Sequence, residues 1–219
     1  MQKFLLCGKW LTTSVRLALA ALLLSALSAT LAYSAPKTIL VSGDSLSAEY
    51  GLARGSGWVA LLEQRLHEKK LNVSVVNASI SGETTSGGAA RITDLLQQHH
   101  PDIVIIELGG NDGLRGLPVA AAEQNLRSMI TASQHAGAKV LLVGMMIPPN
   151  YGRSYTDKFF AMYGTIARDT HVGLVPFLLD GIAEHIELFQ SDHIHVIAAA
   201  HPRILDNVWP HLLPLISGK

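Results

Sequence analysis

Two segments, far apart in this 219-residue sequence, hold side chains suited to nucleophilic catalysis. One is Val41-Ser42-Gly43-Asp44-Ser45-Leu46-Ser47; the other carries Asp192 three residues before His195. A serine hydroxyl attacks an acyl carbon only when a base takes its proton, and that base works best when a carboxylate fixes its tautomer. Of the ten histidines, only His195 has an aspartate three positions ahead. On a tight loop or a single helical turn, that spacing brings the carboxylate to imidazole Nδ1. Nε2 is then free to face the serine. The pair Asp-x-x-His is weak evidence alone, because it recurs by chance.

Acyl transfer also needs donors for the developing oxyanion. Three segments supply small, polar, glycine-rich turns: Gly43-Asp44-Ser45-Leu46, Asn77-Ala78-Ser79-Ile80-Ser81-Gly82-Glu83-Thr84, and Glu107-Leu108-Gly109-Gly110-Asn111-Asp112. Any one of them reads as an ordinary strand-to-helix turn. Together they offer the Ser45 and Gly82 backbone N–H groups and the Asn111 side-chain amide as candidate oxyanion donors. Two other patterns carry less. His193-x-His195 with His201 suggests a metal site, but no matching ligand pair occurs and the stretch reads as a helix end. Gly55-x-Gly57-x-x-Ala60 imitates a dinucleotide fingerprint without following directly on a strand, so it reads as a helix start. No metal or cofactor is expected.

These residues need a scaffold that gathers strand ends. Apolar runs at 38–41, 73–76, 103–106 and 140–143 read as strands, and Leu174-Val175 is the candidate for a fifth. Between them, Trp58, Leu61, Leu62 and Leu66 recur at helical spacing, as do Ile92, Leu95 and Leu96, and then Val119, Ala122, Leu126, Met129 and Ile130. A closing helix from Pro202 to Ile216 has ends blurred by Pro210 and Pro214. Doubly apolar strands alternating with amphipathic helices predict an α/β fold: a three-layer α/β/α sandwich with a mostly parallel, flavodoxin-like sheet. Such sheets bind ligands outside the carboxyl ends of their strands, which is where all three turns fall.

The head reads differently. Lys3, Lys9 and Arg16 precede an apolar stretch from Leu17 to Leu31, and Ala32-Tyr33-Ser34 offers small residues ahead of a cut. That is the layout of a signal peptide, 1–34, with cleavage after Ser34, a single domain over 35–219, and a periplasmic or secreted product. The remaining chain holds 14 basic and 17 acidic residues, net −3. It has no basic stripe for nucleic acid and no further apolar stretch to span a membrane. Cys7 is the only cysteine and leaves with the head, which excludes disulfides and thiol chemistry. The mature protein is expected to be a monomer.

The turns beginning at Gly43, Asn77 and Glu107, followed by Asp192-x-x-His195, occur in the order of the four blocks of the SGNH (GDSL) hydrolases. The sequence resembles that family over essentially its whole mature length, most of all the bacterial thioesterase, lysophospholipase and arylesterase subgroup. The resemblance extends to Pro149-Asn150-Tyr151-Gly152-Arg153 and Val175-Pro176-Phe177. It implies the SGNH hydrolase fold and a triad of Ser45, Asp192 and His195. Ser45, Gly82 and Asn111 would form the oxyanion hole, and carboxylic esters or thioesters would be cleaved.

The last block departs from the usual Asp-Gly-x-His-Pro: His193 stands for the glycine and Val196 for the proline. Positive φ is then less accessible at 193, and φ is freed at 196, so a reshaped or more mobile base loop is expected. A binding protein with a damaged base loop and a sugar O-deacetylase are the competing readings. For an acyl substrate, Leu114, Leu117, Pro118, Ile147, Pro149 and Tyr151 are the expected apolar groove.

Overall fold

A computed structural model describes residues 36–218; the segment read as a signal peptide lies outside them. The strands are β1 (Lys37–Gly43), β2 (Val73–Asn77), β3 (Ile103–Glu107), β4 (Lys139–Val143) and β5 (Gly173–Val175). They form one parallel sheet in the order β2-β1-β3-β4-β5. Ile39 to Val41, Ile103 to Ile106 and Val140 to Val143 are all buried. Apolarity on both faces of the central strands thus reports helices on both sides.

The long helices are α1 (Trp58–Glu68), α2 (Thr85–His99), α4 (Val119–His135), α5 (Arg153–Thr170) and α6 (His201–Ser217); α3 (Gly110–Leu114) is a short turn of helix. Helix α1 packs beside α6, while α4 packs between α2 and α5. The start of α1 is fastened from two directions. The Glu49 carboxylate accepts the Gly55 and Gly57 N–H groups at 3.0 and 2.7 Å, and the Trp58 N–H donates to His201 Nδ1 at 2.9 Å. Gly55 and Gly57 therefore do lead into a helix.

Two elements depart from expectation. Helix α5 was not anticipated, although Phe159, Met162, Tyr163, Ile166 and Ala167 lie buried at helical spacing along it. The closing helix runs unbroken through Pro210 and Pro214. Both prolines face solvent, where water can take up the freed carbonyls. The buried stripe Ile204, Leu205, Val208, Leu212 and Ile216 holds the helix on the sheet.

Register aligns the strand ends. Gly43 pairs with Glu107, and Val41 pairs with Asn77. The turns after β1, β2 and β3 consequently leave the sheet side by side.

Candidate active site

Ser45 lies two residues past β1, buried, with its Oγ 2.8 Å from His195 Nε2. His195 Nδ1 is 2.6 Å from Asp192 Oδ2. The other carboxylate oxygen, Asp192 Oδ1, accepts the Ile194 and His195 backbone N–H groups, each at 3.0 Å. The hydrogen bond to His195 and these amides hold the Asp192 pKa down at about 2. The carboxylate is thus charged throughout the neutral range and selects the tautomer with the proton on Nδ1, leaving Nε2 to accept the hydrogen bond of the Ser45 hydroxyl.

The base loop reaches this geometry without the glycine and proline. It is not a helix end, as the sequence suggested; it lies between two short 3-10 turns, Ile186–Leu188 and Ala198–Ala200. His193 takes the left-handed conformation itself, at φ 57°, and Val196 is buried, bridging antiparallel to Phe189. Gln190 fastens the loop. Its N–H donates to His195 O at 2.7 Å, and its side-chain amide donates to Val196 O and to Tyr50 O, both at 3.0 Å. Gln190 lies so close to Gly51 that a side chain there would strike it. With His193 and Val196 in place, Asp192, His195 and Ser45 stand in hydrogen-bond contact.

The Tyr50 ring lies 4.3 Å from the His195 imidazole, centroid to centroid, with 36° between planes. Sequence reasoning missed it because nothing local ties position 50 to position 195.

Beneath the serine is a buried polar layer, also unforeseen. Asp44 Oδ1 accepts the Leu46 N–H at 3.0 Å, and Asp44 Oδ2 accepts Asn111 Nδ2–H at 3.1 Å. Glu107 Oε2 accepts the Ser47 hydroxyl at 2.7 Å and the Asp44 N–H at 3.3 Å, while Trp58 Nε1–H donates to Ser47 Oγ at 3.2 Å. Burial pushes the Glu107 pKa well above the usual carboxylate range, and the nearby Asp44 charge adds to that; burial raises Asp44 to about 6. Gly43 has no alternative here: a Cβ would sit 2.8 Å from Glu107 Oε2.

Among the described residues, the Ser45 and Gly82 backbone N–H groups donate to no protein atom. Asn111 gives one amide hydrogen to Asp44 and keeps the other. Asp112, next in the chain, is spent structurally: its carboxylate accepts the Thr85 N–H at 2.8 Å and the Thr85 hydroxyl at 2.6 Å. That ties α3 to the start of α2.

The expected groove is changed in one respect. The two segments do meet, since the Tyr151 hydroxyl donates to Leu114 O at 2.8 Å and the Tyr155 hydroxyl to Leu117 O at 2.6 Å. Leu117, Pro118, Pro149 and Tyr151 are exposed and Leu114 is half-buried. Ile147, by contrast, is 7% exposed and belongs to the core, packed against Gly113, where a side chain would strike it. A cavity of about 430 Å³ opens along Tyr151 to Tyr155 and Lys158; of the six groove residues only Tyr151 lines it.

A parallel α/β sheet with serine, histidine and aspartate meeting at its carboxyl edge is the architecture of a hydrolase. The GDSL-like Lipase/Acylhydrolase family matches residues 41–203, and the chain belongs to it. It is 50% identical to Esterase TesA of Pseudomonas aeruginosa over 183 residues, covering 84% of this chain and 91% of that protein. It is 42% identical to Thioesterase 1/protease 1/lysophospholipase L1 of Escherichia coli, over 84% of this chain and 87% of the other. The crystal structure of the psychrotrophic esterase EstA from Pseudoalteromonas sp., inhibited by monoethylphosphonate, superposes with a TM-score of 0.79. It is 40% identical, covering 83% of this chain and 99% of EstA.

Proposed function

We propose that this protein is a serine hydrolase of carboxylic esters and thioesters that works through an acyl-enzyme on Ser45. The observation that carries this reading is the continuous line from Asp192 Oδ2 through His195 to Ser45 Oγ, 2.6 and 2.8 Å long. His195 Nε2 takes the Ser45 proton as Oγ attacks the acyl carbon. The carbonyl oxygen, now negative, is held by the Ser45 and Gly82 amides and by the free Asn111 amide hydrogen. His195 then passes its proton to the leaving oxygen or sulfur. Water, deprotonated by the same imidazole, attacks the ester and releases the acid. No step calls for a metal or cofactor.

The names of the esterase and thioesterase relatives agree with this substrate class. Ser45→Ala should lose nearly all turnover, about 10⁶-fold as for other serine nucleophiles. An organophosphonate should leave one adduct, on Ser45. An active alanine variant, or an adduct elsewhere, defeats the assignment.

A second reading, an O-deacetylase of envelope sugars, is favoured by the burial of Ile147 and by the tyrosine bonds that draw 114–117 against the neighbouring segment. Each methylene held in an apolar groove is worth about 0.8 kcal/mol. Esters from two to twelve carbons therefore separate the readings: kcat/KM rising with length supports the groove, and a sharp peak at acetyl supports the deacetylase. We also infer that 1–34 is a leader removed on export, leaving 35–219 as the single working domain. An N-terminus at Ala35 in the exported protein would support it, and an intact Met1 would refute it.

A further inference from the structure

Of the three oxyanion donors, Gly82 has the weakest local support. It lies exposed between β2 and α2 at φ 80°, a region where glycine moves freely. The turn around it is tied at its flanks, by Ile80 N–H to Gly43 O at 3.0 Å, by Glu83 N–H to Ile80 O at 3.1 Å, and by Arg91, which donates to the Glu83 carboxylate at 2.8 Å and to Ala78 O at 3.1 Å. One further bond reaches Gly82 itself: its carbonyl accepts Arg115 Nη2–H at 2.9 Å.

Arg115 caps the C-terminus of α3, and its N–H donates to Asn111 O at 3.2 Å. The same helical turn thus carries the Asn111 donor and grips the Gly82 peptide. Arg115 has no carboxylate partner among the ion pairs of the described residues, so neutralising a charge is not its task.

We propose that Arg115 is a positioning residue for the Gly82 arm of the oxyanion hole, tying its peptide plane to the helix that bears Asn111. The inference rests on the acyl-enzyme reading above. A donor aimed in advance at the oxyanion matters in the transition state and little in the ground state. Losing Arg115 should therefore leave substrate binding intact and weaken oxyanion stabilisation. The loss should be smaller than that of a whole donor, because the Gly82 N–H survives and is only less well held.

The test measures kcat, KM and the inhibition constant of an acyl trifluoromethyl ketone, whose hemiketal oxygen occupies the oxyanion site. Arg115 is exposed, so Arg115→Ala and Arg115→Gln should melt as the parent does. Both should lower kcat about tenfold, a fraction of the 10²–10³ for a full donor. KM should stay within about twofold, and ketone affinity should fall in step with kcat/KM. Arg115→Lys should recover part of the loss, and so should millimolar guanidinium added to Arg115→Ala. A raised KM with normal kcat would place Arg115 against the leaving group and overturn the proposal. Unchanged kcat and unchanged ketone affinity would also overturn it. If Ser45→Ala stayed active in the same assays, the acyl-enzyme reading itself would be at fault.

Discussion

Asp44 and Asn111, on turns after different strands, meet through a single hydrogen bond: Asn111 Nδ2–H to Asp44 Oδ2 at 3.1 Å. That bond decides which way the Asn111 amide faces. Its NH₂ is turned toward the Ser45 turn, and its second hydrogen has no acceptor among the described residues. Asn111→Ala should lower kcat by about 10²–10³ with little change in KM, the usual effect of removing one oxyanion donor. Steady-state kinetics on a chromogenic ester decides it. A large KM effect with normal kcat would make Asn111 a binding residue instead.

Glu107 should behave as a neutral acid. Burial and the Asp44 charge raise its pKa, so the folded state holds the proton more tightly than the unfolded one. Stability then falls as pH rises above the unfolded value of about 4.5 toward the folded one. Glu107→Gln, which keeps an acceptor for Ser47 and Asp44 and carries no charge, should match the parent at low pH. Its advantage should grow as pH rises. Glu107→Ala should cost about 1–3 kcal/mol by stranding the Ser47 hydroxyl and Asp44 amide. Urea titrations of both variants from pH 4.5 to 8 check the trend; a Gln variant less stable at every pH would contradict it.

His201 should make the fold acid-sensitive. Its Nδ1 must be unprotonated to accept the Trp58 N–H, and burial lowers its pKa to about 4. A depressed histidine contributes stability that is full above the unfolded pKa of about 6.5 and declines as pH falls toward 4. The loss should reach about 2–3 kcal/mol. His201→Gln should be less stable at pH 7 and should lack this decline between pH 6.5 and 4. Melting curves across that range would expose an equal slope in both proteins and reject the idea.

His193→Gly should stabilise. A left-handed backbone costs a residue with a Cβ about 1–2 kcal/mol, and the added freedom of unfolded glycine offsets about half of that. The net gain of about 0.5–1 kcal/mol should raise Tm by a few degrees. Turnover should be kept, because the backbone already has the shape glycine prefers. Calorimetry with an ester assay suffices; a lower Tm would mean that the His193 side chain contributes contacts of its own.

What was legible in the sequence was whatever leaves a local trace. Runs such as Ile103 to Ile106 announced buried strands, and the Asp192–His195 spacing, weak by itself, gained weight from the three other blocks in order. What was hidden depends on strand order. Asp44 and Glu107 are 63 residues apart and become neighbours because β1 pairs with β3 in a register that sets Gly43 beside Glu107. Neither segment alone contains that information. Tyr50 against His195, Gln190 against Gly51 and Arg115 against Gly82 are hidden for the same reason. Ile147 was misjudged differently: an apolar residue looks the same in sequence whether it lines a groove or floors the core. Helix α5 was the avoidable miss, since its buried stripe shows the same 3.6-residue period as the helices that were found.

The 150-residue separation of Ser45 and His195 also has a consequence for synthesis. A ribosome adding about 5–20 residues per second makes the Ser45 turn roughly 8–30 s before the His195 loop. β1 needs β3 on one side, and the base loop comes only after β5. A growing chain therefore carries Ser45 without its His195 partner, and so does any chain cut short before residue 195. Under the proposed mechanism, hydrolysis should begin only once nearly all of the chain has been made, so a chain truncated before residue 195 should leave a chromogenic ester untouched.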